Sequence, residues 1–116
     1  MNAPAQAWYS FDQGATLGGK GSENGTILLD EEHVDGARIT LEENGYQPYA
    51  ITCGIYGMLF VLTTFASTLT EAKEKYEHMK YDLSEYFRLC YASPLEDDDL
   101  LEYELRLISE FADKYQ

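Results

Sequence analysis

Residues 49–66 read YAITCGIYGMLFVLTTFA and sit inside a longer run, Asn44 to Thr70, that holds no Asp, Glu, Lys or Arg. In a chain that is 25% charged, so long a gap marks sequence hidden from water. Its length would suit a membrane span. However, Gly54 and Gly57 interrupt it, Thr52, Thr63 and Thr64 are spread through it, and no basic residue flanks it before Lys73. Tyr, Ile, Phe, Val and Thr fit a pleated strand. The expectation is a hairpin with its corner at Gly54-Ile55-Tyr56-Gly57, where glycines accept positive φ. The second arm, Met58 to Ala66, is apolar on both faces, with Met58, Phe60, Leu62 and Thr64 against Leu59, Val61, Thr63 and Phe65. Since a strand in a one-sided sheet alternates, cover beyond a single helical layer is expected here.

Upstream, Ala37 to Glu42 alternates cleanly, placing Ala37, Ile39 and Leu41 on one face and Arg38, Thr40 and Glu42 on the other. Asp35-Gly36 and Asn44-Gly45 are hairpin turn signals at its two ends. The strand after Asn44-Gly45 is expected over Tyr46 to Cys53, with Pro48 at its start, an edge or a bulge. Before it, Thr26 to His33 begins apolar and ends in Asp30, Glu31, Glu32 and His33, as a strand would that leaves the core for solvent. Gly14 to Gly25 carries five glycines in twelve positions and is expected to be a flexible loop. Trp8 to Asp12 is expected to open the sheet as a short strand, and residues 1–6 to form a disordered tail.

Downstream the period changes. Thr68 and Glu71 form a capping box, and Leu69, Ala72, Tyr76, Met79, Leu83, Phe87 and Cys90 recur at steps of three and four along one helix face. Ser93-Pro94-Leu95-Glu96 is expected to start a second helix, a C-terminal extension over 93–116, with Asp97, Asp98 and Asp99 in its first turn. Its apolar stripe, Leu101, Leu105, Ile108, Ala112 and Tyr115, is widened by Leu100, Leu107 and Phe111. The expectation over 1–116 is therefore one α+β domain. An antiparallel β-meander of four or five strands is followed by an amphipathic helix packed on the sheet and by a second C-terminal helix.

With 21 Asp and Glu against 8 Lys and Arg, the formal charge is −13. Such a surface repels phosphate backbones and anionic membranes, which argues against nucleic-acid and membrane binding. It would attract a basic protein, a polyamine or a metal cation, or it serves simply to keep a small protein in solution. Cys53 and Cys90 belong to no CxxC pair and the N-terminus has no signal-peptide pattern, so the expected setting is reduced and cytoplasmic. Gly14, Gly19 and Lys20 match the start of a phosphate-binding GxxxxGK motif, but Gly21 stands where Ser or Thr is required and a strand follows instead of a helix.

For chemistry, Glu31 and His33 share one strand face, and Arg38 is the lone Arg of the sheet region, expected to pair with Glu32 or Glu42. A ligand or catalytic site built from Glu31, His33 and Arg38 would need them to converge on a pocket between sheet and helix. The remaining histidine, His78, falls on the helix exterior, and no metal or cofactor is called for. Ten tyrosines are many for this length. Tyr81 and Tyr103, with the surplus apolar residues Leu100, Leu107 and Phe111, are the candidate partner-binding surface.

The segments FDQG (11–14), GSENGTILLDEEH (21–33), GARITLE (36–42) and AITCGIYG (50–57) resemble a recurring pattern of small bacterial proteins of unassigned function, over about residues 8–90. The helix after Ser93 stands outside that pattern. In size and acidity, not in motif, the chain is also similar to immunity proteins that neutralise bacterial toxins. The functional expectation is a non-catalytic, homodimeric binding protein that recognises a protein partner in an immunity-like or regulatory role. The alternative is the pocket of Glu31, His33 and Arg38.

Overall fold

The computed structural model describes residues 7–116. Five strands, β1 (Trp8–Ser10), β2 (Thr26–His33), β3 (Ala37–Glu43), β4 (Tyr49–Ile55) and β5 (Phe60–Ala66), form one antiparallel sheet in chain order. Helices α1 (Leu69–Ala92) and α2 (Asp97–Tyr115) follow. This is the expected α+β meander, with its first helix lying on the sheet. The segment 1–6, for which a disordered tail was expected, lies outside the described residues.

Period-two alternation decides which side chains meet the helix. Ala37, Ile39 and Leu41 of β3, Ile51, Cys53 and Ile55 of β4, and Leu62 and Ala66 of β5 are buried against Ala72, Tyr76, Met79, Leu83 and Phe87 of α1. The α1 start is capped as its sequence predicts: Thr68 Oγ1 accepts the Glu71 amide, and Glu71 Oε1 accepts the Ser67 amide. Helix α2 anchors on the same layer through Ile108 and Phe111. The Phe111 ring meets Phe60 edge-on, and Tyr115 and Lys114 both donate to Asp82 of α1.

Four local expectations are corrected. The acidic end of β2 does not leave the sheet, because β1 pairs with it at Glu31, Glu32 and His33, and both Asp30 and His33 are buried. The central corner lies later, over 56–59. Gly54 is inside β4 opposite Val61, and a side chain there would meet the Phe60 carbonyl at 2.9 Å. β4 begins at Tyr49, immediately after Pro48, and not at Tyr46. Helix α2 begins at Asp97, since Ser93 caps the end of α1 and its Oγ accepts the Leu95 amide in a local turn.

Candidate docking cleft on the open face of the sheet

α1 covers one face of the sheet, and the other face is divided. A register shift between Ile27 and Leu29 puts Ile27 opposite Glu42 and leaves Asp30 opposite Thr40, so both point away from the helices. Over this half folds the glycine loop. Glu42 is only 1% exposed, and its Oε1 accepts the amides of Glu23 and Gly25 at 3.0 and 2.8 Å. The loop thus wraps a carboxylate belonging to its own chain where a phosphate-binding loop would wrap a phosphate. Gly21 is needed for that closure, because a Cβ there would sit 2.5 Å from Glu42 Oε2. The flexible loop expected from its composition is therefore pinned, by a residue whose strand alternation gave no hint of cover.

The other oxygen, Glu42 Oε2, is buried without a partner among the described residues, and next to it lies a set of satisfied charges. Arg38 grips Asp30 through Nε and Nη2 at 2.9 and 2.6 Å, Thr16 Oγ1 donates to the same carboxylate at 2.7 Å, and the guanidinium lies 3.6 Å from the Phe11 ring centre. Arg38 therefore pairs with neither Glu32 nor Glu42. Glu32 instead accepts Tyr9 and Tyr56 hydroxyls at 2.8 and 2.7 Å, which holds its carboxyl below the usual range. Partial desolvation, reinforced by the bond to Glu32, pushes the half-exposed Tyr56 up to about 12.

The other half of this face is bare. Here β4 and β5 present Thr52, Gly54, Val61, Thr63 and Phe65, with no charge among them. Val61 is 74% exposed, and Leu59 in the corner is fully exposed at a φ of 51°, where a leucine backbone is strained. The loop edge and the bare half enclose a cleft of about 430 Å³ floored by Thr40, Thr52 and Val61 and walled by Gly21, Arg38 and Tyr56. A cleft of this size holds one or two side chains of a partner or a small ligand.

The sequence-predicted trio does not come together. Glu31 and His33 face α1, while Arg38 faces the opposite side of the sheet. Glu31 Oε1 accepts from Tyr76 Oη at 2.7 Å and from Lys80 Nζ at 3.0 Å. His33 is stacked on Phe87 and meets Trp8 edge-on, and its Nδ1 accepts the Asp35 amide at 3.0 Å. Burial lowers its pKa, against the pull of Asp35. Of the partner-surface candidates, Tyr81 is exposed, Tyr103, Leu100 and Leu107 are half-buried, and Phe111 is buried in the core. Cys53 is buried, which raises its thiol to about 12, and both cysteines are free.

Among the described residues no group of three or more His, Cys, Asp or Glu could hold a metal ion, and no helix is long and apolar enough to cross a membrane. Compared with protein-family models, curated proteins and solved structures, the chain shows no match.

Proposed function

We propose that this is a non-catalytic binding protein that docks a protein partner on the bare half of its sheet. The observation that carries this reading is the uncharged, exposed patch of Tyr56, Leu59, Val61 and Phe65 beside the cleft, in a chain of net charge −13. A strained, fully exposed leucine at the rim of an apolar cleft costs stability in the free protein, and a partner that buries it offsets that cost. The polar groups around the cleft favour binding over catalysis. Asp30, Glu32 and Arg38 are each held by another group of the chain, so that among the described residues the one other charged side chain lining the cleft is Lys20. The net charge of −13 speeds the encounter with a basic partner, while the uncharged patch provides the contact.

The test is co-purification on the immobilised full-length chain from extracts across a salt series. The expected partner is basic, is retained at low salt, elutes as salt rises toward about 1 M, and is lost when Leu59 is replaced by Asp. Asp tolerates the left-handed backbone at this position, so the fold survives the change. Retention unaffected by L59D would remove the docking site from this face.

A further inference from the structure

We infer that two copies of this chain associate by pairing β5 with β5 of the second copy, antiparallel and centred on Thr63, to form one sheet continuous across both. The proposal concerns the edge of the sheet, and it stands whether or not the bare face docks another protein.

The first argument is that β5 lacks the devices that protect an edge. It runs seven residues, FVLTTFA, with no charge, no proline and no register shift against β4. The opposite edge strand, β1, has only three residues. Beyond its pairing with β4, the β5 backbone makes one hydrogen bond among the described residues, from Lys75 Nζ to the Phe65 carbonyl at 2.7 Å. That contact shows which way the edge points. Alternate residues of a strand direct their N–H and C=O to the same side, so the free edge carries those of Val61, Thr63 and Phe65. Among the described residues Lys75 is the single competitor for this edge. It covers one carbonyl at one end, and the Glu71 carboxylate 4.0 Å from its ammonium offers it another place to sit.

The second argument is that the strand is complementary to itself. With Thr63 on the two-fold axis, Val61 of each copy lies opposite Phe65 of the other, giving two aromatic to β-branched pairs on the open face. Val61 is 74% and Phe65 42% exposed in the single chain. On the same face Thr40, Thr52 and Thr63 form a row across β3, β4 and β5, with the Thr52 and Thr63 hydroxyls 3.0 Å apart. Pairing about Thr63 continues this row into the second copy.

The third argument is electrostatic. Two chains of −13 repel at most orientations. The seam proposed here is the exception, because β4, β5 and the turn between them lie within the uncharged run from Asn44 to Thr70. A basic partner would gain no charge complementarity at that edge, whereas an identical strand gains matched side chains.

Sedimentation velocity on the full chain tests this. The wild type should move from one to two 13.2 kDa chain masses between about 1 and 100 µM, and more readily as salt screens the repulsion. V61K and F65E should each raise the dissociation constant about tenfold or more, because each substitution spoils both symmetry-related pairs. V61K combined with F65E should restore association, since this register sets the new opposite charges across from each other. Circular dichroism confirms that each variant is folded. Should one unfold, amide exchange of the wild type decides, with Val61, Thr63 and Phe65 protected at high concentration and exchanging on dilution. A wild type that stays monomeric over the whole range overturns the proposal, and so does a dimer indifferent to V61K. Failure of the double variant to re-associate while both single variants dissociate overturns the Thr63-centred register.

Discussion

The two halves of the open face belong to one five-stranded antiparallel sheet, yet they have opposite characters. Under the glycine loop, the buried carboxylates of Asp30 and Glu42 are each tied to groups from distant parts of the chain. Beside it, β4 and β5 expose apolar side chains and an edge without a single charged residue. The first half places acids where water is absent, and the second places apolar surface where water is present. Each arrangement is costly alone. In the covered half the chain supplies partners for these acids at every oxygen but Glu42 Oε2, and the bare half keeps its need for one.

The largest expected contrast is in stability. Replacing Glu42 by Ala leaves the buried Gly25 amide and the Glu23 amide without their acceptor and unpins the loop. The expected loss is about 3 kcal/mol, read from the urea midpoint. Val61→Thr on the bare half should stay within about 0.5 kcal/mol of the parent. Equal effects would erase the distinction between the halves. Arg38→Met comes next, at about 2 kcal/mol. It removes both guanidinium contacts from Asp30, whose side chain is fully buried, but keeps an apolar stem on Phe11 and leaves the Thr16 bond.

These two residues also show what the sequence made legible. The alternation of Ala37 to Glu42 assigned each of those six side chains to its correct face, because period two is a property of the strand itself. Whether the outward face meets water is a property of the loop that returns over it, whose contacts to Glu42 come from 17 and 19 residues earlier in the chain. Cross-strand pairing pointed Arg38 at Glu32, but nothing in TILLDEEH shows that it takes Asp30 instead or that Tyr76 and Lys80 meet Glu31. The same limit explains α2. Ser93-Pro94 carries a valid helix-start pattern, but the serine is consumed by a turn and the end of α1, and the helix waits for Asp97. Of the candidate site, the two-faced apolar strand was visible in advance, and the cleft beside it was not. The cleft depends on the loop being pinned to Glu42, a residue that alternation marked only as outward.

A pH titration probes the boundary between the halves. Glu32 holds Tyr9 and Tyr56, and its pKa in the folded chain is below its ordinary value, chiefly through the Tyr56 bond. A depressed carboxyl contributes stability that is present above its unfolded pKa and is lost as pH falls through the folded one. The double variant Y9F/Y56F should therefore lower stability at pH 7, with the deficit shrinking as pH falls through the depressed pKa, by urea midpoints across an acid pH series. A deficit that persists unchanged in acid would assign the tyrosines a packing role only.

The smallest effect is the most direct test of why the bare half is bare. Leu59 holds a φ of 51°, a conformation that glycine adopts freely and leucine does not, and its side chain contributes no burial in the free chain. Leu59→Gly should stabilise the isolated protein by up to about 1 kcal/mol, because relief of the strain outweighs the extra freedom that glycine gives the unfolded chain. The same substitution should weaken partner retention at the cleft. Stability and binding moving in opposite directions at one position would show that the strained leucine is kept for contact. If L59G destabilises the free chain, Leu59 contributes to the fold itself, and the argument from its cost fails.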